Sequence, residues 1–505
     1  MELALGKKSI YCFKKIYDST FTREETAESV VPDVMPDIAE ILSVDGLVLL
    51  RSKEAEQGRV SLAGNVGATV LYLPEGGGGV KKLSLSVPFS ASAESPVFSD
   101  KTRAVATVRL TLLEARMLNP RKVLVKAGVT VDLKCYEEGE LEICDKVEDP
   151  SSAEILIRPM QCLVNPVTGV REKTFVITDE YVIPASKPIF GELLAQRVEF
   201  TVDDIKTVGN KLIFKGAAQV TLLYISEDGQ DIASANYTTS FSQIIEMDGA
   251  YEQPDAEVRL MLTGAYFEPM PSSSEGRVIS CELHMVAQAS CSEKTELTYL
   301  SDAYSNNYDV ELYRDSIELE GIERRMTVRE TLRDLIETKN PVREVIDACA
   351  VTLTPDVRGK NVNCPVMIKL MYREDSGKIC CTSKQYIVQA TVELEPDSEL
   401  CVTAVRAPEV YATGAAGGID IRVPLDIDVV ITSKLGLAPI TGIELSEEPV
   451  SARSDRPSVT VVVPGNMDTW ELAKRYRSTP ELIDAANALE EGGVPGKVLL
   501  IPRWR

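Results

Sequence analysis

Apolar and polar residues alternate one by one through most of this chain. Between Val105 and Leu113, Ala106, Val108, Leu110 and Leu112 fall on one side, and Val105, Thr107, Arg109 and Thr111 on the other. A period of two is that of a half-buried β-strand. Gly216 to Tyr224 is another strand-like run, and it ends at Ser226-Glu-Asp228-Gly229, a hairpin signal. Strands so closely spaced predict a mainly β chain of tandem sandwich-like or barrel-like repeat domains. One stretch reads differently. Thr327-Val-Arg-Glu330 has the form of a capping box, and Val328, Leu332, Leu335 and Ile336 fall on one helical stripe, which predicts a helix there.

The pattern repeats. Val31-Pro32-Asp33-Val-Met-Pro36-Asp37-Ile-Ala-Glu40-Ile-Leu42 aligns with Ile183-Pro184-Ala-Ser-Lys-Pro188-Ile-Phe-Gly-Glu192-Leu-Leu194, 152 residues later. The same offset pairs Gly64 with Gly216, Tyr72 with Tyr224, Phe89 with Phe241 and Leu110 with Leu262. A third copy is more diverged. Tyr372 is its anchor, Cys364 stands where the others have glycine, and only Pro341-Val-Arg-Glu-Val-Ile346 echoes the motif. The prolines are read as stiffening an extended segment that Ile38, Ile41 and Leu42 pack down. The aspartates Asp33 and Asp37 occur only in the first copy. The expected division is repeat 1 over 1–150, repeat 2 over 151–310, repeat 3 with its leading helix over 311–446, a linker over 447–457, and a small terminal domain over 458–505.

That terminal domain reads strand, helix, helix, strand. Val459, Val461 and Val463 form one face of the first strand, which Pro464-Gly465 ends. Asp468 or Thr469 caps the first helix, with Leu472, Ala473 and Tyr476 on its inner face. Thr479-Pro480 starts the second, whose expected stripe is Leu482, Ile483, Ala486 and Leu489. Val498 to Ile501 closes the unit. So small a domain has little core, and Trp470 and Tyr476 are expected to carry much of it.

Charge and chemistry narrow the function. The net charge of −23 argues against nucleic acid and anionic lipid as ligands. The 44% of hydrophobic residues excludes a disordered chain. Eleven cysteines, an odd number without a C-x-x-C spacing, and a single histidine fit neither a disulfide framework nor a zinc site, so reduced thiols in a cytosol are expected. Cys281 and His284 are three apart and fall on opposite strand faces, which disfavours a nucleophile pair. Gly76 to Gly79 lacks the spacing of a phosphate loop and reads as a hairpin tip. The chain is expected to be no enzyme and to use no cofactor or metal. Residues 1–8 lack a signal peptide's apolar core, and no apolar run reaches the length of a membrane span.

The repeated Val-Pro-Asp-x-x-Pro-Asp-Ile-x-Glu-Ile-Leu motif resembles that of the SPOCS domain family, and the terminal unit resembles a LysM module. Together they resemble SipL-type spore-coat morphogenetic proteins. The motif positions are Pro32, Asp33, Pro36, Asp37 and Glu40. The LysM resemblance implies a ligand groove formed by Gly465, Asn466, Met467, Asp468 and Thr469 on one side and Gly492, Gly493 and Val494 on the other. Its first loop is longer than the family's Gly-Asp-Thr turn. The resemblance implies a scaffold in the mother-cell cytoplasm at the forespore surface. Its LysM unit would dock a spore coat-basement ATPase, through groups around Met467, Trp470 and Arg477, and its repeats would hold other coat proteins. The alternative is a cell-wall protein that binds peptidoglycan or cortex glycan.

Overall fold

The computed structural model describes residues 1–150, 154–247, 255–270, 276–450, 458–488 and 498–503. Strands dominate it, at 74% against 4% helix, so the mainly β expectation holds. Repeat 1 comprises β1 (Leu5–Val30), β2 (Ile38–Glu56), β3 (Arg59–Pro74), β4 (Lys81–Glu94), β5 (Arg103–Asn119) and β6 (Lys122–Val147), in two sheets, β2–β3–β4 and β1–β6–β5. Repeat 2 follows with β7 (Ile155–Val164), β8 (Val167–Val182), β9 (Phe190–Val208), β10 (Lys211–Ser226), β11 (Ile232–Glu246), β12 (Asp255–Pro269), β13 (Val278–Ser292) and β14 (Thr295–Ser305). Its sheets are β9–β10–β11 and β8–β13–β12, the second continuous with the β1–β6–β5 sheet of repeat 1 through the pair Phe13↔Val167.

Repeat 3 has β15 (Val310–Arg314), β16 (Ile317–Glu337), β17 (Val342–Thr352), β18 (Asp356–Arg358), β19 (Asn361–Glu374), β20 (Ile379–Thr391), β21 (Ser398–Arg406), β22 (Tyr411–Ala415), β23 (Gly418–Leu437) and β24 (Ile440–Leu445). The same two sheets recur as β17–β19–β20 and β16–β23–β21. Each sandwich buries the inward residues of its alternating strands, such as Val66, Val70, Tyr72 and Phe89 in repeat 1.

The helix expected around Thr327 is absent. β16 is a strand that pairs with β23 along its whole length, from Ile317↔Leu437 to Glu337↔Gly418. Val328, Leu332 and Ile336 are four apart and satisfy either period. Met326 joins them on the inner strand face, whereas Leu335, which the helical stripe needed inside, is 41% exposed. The Thr327 hydroxyl caps nothing and donates to Asp428 across the ladder at 2.7 Å. A long partner strand with an apolar face outweighs local helical preference.

The middle strands β3, β10 and β19 are buried on both faces near their ends. Tyr72, Tyr224 and Tyr372 point into their own sandwiches, while Leu71, Leu223 and Met371 point out of them. Those three meet in one cluster with Leu42, Leu194 and Ile346 and with Val80, Ile232 and Ile379. Every set holds one residue from each repeat, so the repeats surround a pseudo-threefold axis. Polar contacts run in the same cyclic sense. Lys82 of repeat 1 donates to the Leu193 carbonyl of repeat 2 at 2.6 Å, and its counterpart Ser234 to the Ile346 carbonyl of repeat 3 at 2.9 Å. Lys369 of repeat 3 returns to the Val44 carbonyl of repeat 1 at 3.1 Å. Head-to-tail contacts of this kind close a ring. The strands that open and close each repeat also pair, β1 with β6, β7 with β14 and β15 with β24. These stems bury Leu3, Val147, Ile155, Leu300 and Ile443 together as a second shared core.

One diverged feature of repeat 3 has a packing reason. Gly64 pairs across the strands with Phe89, and Gly216 with Phe241. In repeat 3 the pair is Cys364 and Val388. A ring lying on glycine is exchanged for two mid-sized side chains, so glycine and aromatic are lost together. All eleven cysteines are free. Adjacent Cys380 and Cys381 face opposite ways, Cys380 against the repeat 3 core and Cys381 into the axial cluster. Among the described residues no helix is long and apolar enough to cross a membrane.

Candidate docking interface

The terminal unit is built from β25 (Val459–Val462), α1 (Thr469–Tyr476), α2 (Pro480–Asn487) and β26 (Leu499–Pro502), with β25 antiparallel to β26. Asp468 caps α1 by accepting from the Glu471 N–H at 2.8 Å, and Thr479 caps α2 by accepting from the Leu482 N–H at 3.3 Å. The Asn487 amide clasps both the N–H and the carbonyl of Leu500, which ties α2 to β26. Leu472, Ala473, Ile483, Leu499 and Ile501 are its buried core.

One expected face is located, and one expected stripe position differs. Val459, Val461 and Val463 are the outer face of their strand, at 48%, 64% and 72% exposed, because Val462 is the strand residue that packs on the helices. Ala486 faces solvent, while Ile483 is buried. Leu489 and the groove positions Gly492, Gly493 and Val494 lie outside the described residues, as do 451–457 of the expected linker. Just before that segment, the Val450 N–H bonds the Asn307 carbonyl at 2.7 Å, so the chain runs along repeat 2's stem.

The unit sits on that stem. Trp470 packs edge-on against Tyr304 at 4.9 Å, and its Nε1 donates to Asp302 at 2.9 Å. Lys474 donates to the same carboxylate at 2.6 Å, and Arg314 approaches it at 3.1 Å. Burial would raise the Asp302 pKa, but the Lys474 and Trp470 hydrogen bonds outweigh it and hold the carboxyl below its ordinary value. Arg477, left-handed at φ 54° at the end of α1, pairs with Asp309 at 2.5 Å and donates to the Asn306 carbonyl at 3.2 Å. The Tyr304 hydroxyl donates to the Ser478 carbonyl at 3.0 Å. Asp468 pairs with Arg158 at 2.8 Å, and Met467 packs into the shared cluster. Gly465 is left-handed at φ 60°, and Asn466 and Thr469 complete the loop. The three residues expected to meet a foreign protein, Met467, Trp470 and Arg477, are thus engaged by the chain itself. Trp470 packs across this junction as much as within the unit.

The motif residues do structural work at the ring. The Tyr72 hydroxyl donates to the Pro36 carbonyl at 3.1 Å, and Tyr224 to that of Pro188 at 3.0 Å. Pro32 closes a turn through the Met35 N–H at 2.9 Å. Arg121 draws the segment together, bonding Asp37 at 2.5 Å, Asp33 at 3.2 Å and the Val31 carbonyl at 2.8 Å. In repeat 2, where both aspartates are missing, Arg277 bonds the Pro184 and Lys187 carbonyls instead. Glu40 pairs with Lys378 of repeat 3, and its counterpart Glu192 with Lys82 of repeat 1.

On the axis itself, Asp45, Arg197 and Cys349 occupy equivalent positions. Arg197 bonds Asp45 at 3.1 Å and both Asp347 oxygens at 2.6 and 2.7 Å. Burial pushes the Cys349 and Cys381 thiols up to about 12, so they stay protonated and unreactive at neutral pH. A cavity of about 310 Å³ opens at the seam of repeats 3 and 1, between Ser43, Asp45 and Lys369. Repeat 3 is the most diverged copy, and this cavity lies where it meets repeat 1. Away from the axis, His284 lies beside Glu282 and Tyr266, and Cys281 is buried on the other face. Among the described residues no group of three or more His, Cys, Asp or Glu is arranged to hold a metal.

The stem residues Asp302, Tyr304 and Asp309 carry no sequence signal, since their partners lie some 170 positions away. Arg197 did carry one, a charge reversal against Asp45 at the same repeat position.

Residues 37–118 and 191–268, which span β2 to β5 and β9 to β12, match the family model described as SipL, SPOCS domain. The class is therefore that of tandem SPOCS-domain proteins. The two matches support a chain of the SipL type, with repeated SPOCS domains, and a role related to sporulation and the spore coat. No curated protein and no solved structure gives a match.

Proposed function

We propose that this chain is a non-enzymatic scaffold of endospore coat assembly, working in the mother-cell cytoplasm at the forespore surface. The SPOCS match carries this reading. A closed ring with two shared cores is a stiff platform, suited to holding coat proteins at fixed spacing. The terminal unit, with the strand–helix–helix–strand order of a LysM module, docks a coat-basement ATPase. Binding of peptidoglycan or cortex glycan is the weaker reading, because the first groove loop, Gly465 to Thr469, is longer than the Gly-Asp-Thr turn of the LysM family.

The test uses the full chain. Immobilised protein is expected to retain the coat-basement ATPase from a sporulating-cell extract, and the free protein is expected to stay in solution when purified peptidoglycan is pelleted. Sedimentation with peptidoglycan and no retained ATPase would reverse the assignment.

A further inference from the structure

We infer that the face of the terminal unit made by Trp470, Lys474 and Arg477 is a recognition surface for an acidic, tyrosine-bearing strand, occupied here in cis by the chain's own segment Asp302–Asp309. The inference rests on the scaffold reading only in taking the terminal unit to be the docking module.

The seated segment defines the chemistry. An indole N–H and an ammonium converge on one carboxylate, Asp302. Two residues on, a tyrosine ring meets the Trp470 ring and its hydroxyl reaches the α1–α2 turn at Ser478. Seven residues after Asp302, a second carboxylate, Asp309, receives the Arg477 guanidinium. Two cations and an indole donor presented on α1 and its cap favour a ligand with carboxylates at both ends and an aromatic ring between them.

The same contacts show why the seat is exchangeable. Asp309 keeps 74% of its side chain exposed, and ion pairs in that setting hold weakly. Asn306, in the middle of the segment, is buried at 8% exposure with neither amide atom bonded among the described residues. A buried amide without partners weakens the seat. A strand with the same carboxylates and a small apolar residue in place of Asn306 fits better and displaces it. The body thereby covers its own docking face until a matched partner arrives.

A fluorescent peptide with the sequence of residues 300–310 tests this by polarisation against the full chain. Wild-type protein, with its face filled, is expected to bind the peptide weakly. The double variant Asp302→Ala/Asp309→Ala is expected to bind it about tenfold more tightly, a difference of about 1.4 kcal/mol. Asp302 also meets Arg314, so the single Asp309→Ala, at an exposed carboxylate, serves as the variant that keeps the fold, with a smaller gain in the same direction. Adding Lys474→Glu to either variant is expected to abolish the gain. Equal binding by wild type and both variants, or none by any, would overturn the inference. Retention of the coat-basement ATPase by the variants, measured alongside, separates the two ideas. ATPase retained with the peptide ignored removes this inference alone, and peptide bound with no ATPase retained removes the scaffold's docking partner alone.

Discussion

Arg197→Ala is expected to lower the stability of the whole ring by about 3–5 kcal/mol, the cost of breaking a buried ion pair from one side. The guanidinium comes from repeat 2, Asp45 from repeat 1 and Asp347 from repeat 3, so this is the one described side chain on the axis that bridges all three repeats by ion pairs. Its own side chain is 20% exposed and those of the aspartates 12% and 10%, so water entering by the adjoining cavity replaces only part of what is lost. Two carboxylates would then lose the guanidinium with which both pair. Urea unfolding of the full chain measures the effect. Replacing all three residues together, as Arg197→Met/Asp45→Leu/Asp347→Leu, is expected to restore most of the loss, because an apolar trio leaves no charge unpaired. A single variant within about 1 kcal/mol of wild type would show that the axial cores hold the ring without this cluster.

The second large effect is steric. A Cβ at Gly216 would overlap the Thr201 carbonyl oxygen and lie 2.7 Å from the Phe241 ring. Gly216→Ala is expected to cost about 3 kcal/mol, the upper end of ordinary overpacking, because one of the two obstacles is backbone. Adding Phe241→Val imitates the Cys364–Val388 pair of repeat 3 and removes the ring, yet leaves Thr201 in place. It should therefore recover only part of the loss, with a coupling of about 1–2 kcal/mol between the sites. In repeat 3 the ladder is interrupted at this point: β17 ends at Thr352, opposite Val366, and β18 resumes opposite Asn363, so no residue of either strand pairs with Cys364. Full recovery in the double variant would mean that β9 can retreat from Gly216, and the argument from the carbonyl would fail. Thermal unfolding of both variants and of Phe241→Val alone completes the cycle.

These effects differ in how visible they were. The glycine–aromatic pairs stood out in the repeat alignment, since both members vanish together in the third copy. Only the cross-strand register showed that they touch. The helix expected near Thr327 failed because Val328, Leu332 and Ile336 fit both periods, and the choice was made by β23, some hundred residues later. The expectation that Trp470 packs in the unit's core gave half of its contacts, for a related reason. A small domain with two large aromatics reads as needing them inside, and nothing local shows that Tyr304 of the stem supplies the other half of the contact.

What the sequence determined by itself was everything governed by short range or by repetition. A period of two specifies strands, a constant offset of 152 residues specifies copies with one strand order, and Asp468 and Thr479-Pro480 specify where the last two helices begin. The ring and the seating of the terminal unit were decided by the tertiary structure alone. Leu42, Leu71, Leu194 and Leu223 sit on the backs of their strands, where a single repeat would leave them in water. Their burial depends on equivalent residues of two other repeats, and the pairing of Asp302 with Trp470 joins residues 168 positions apart. Such contacts follow from the closing of the chain on itself, which no local pattern encodes.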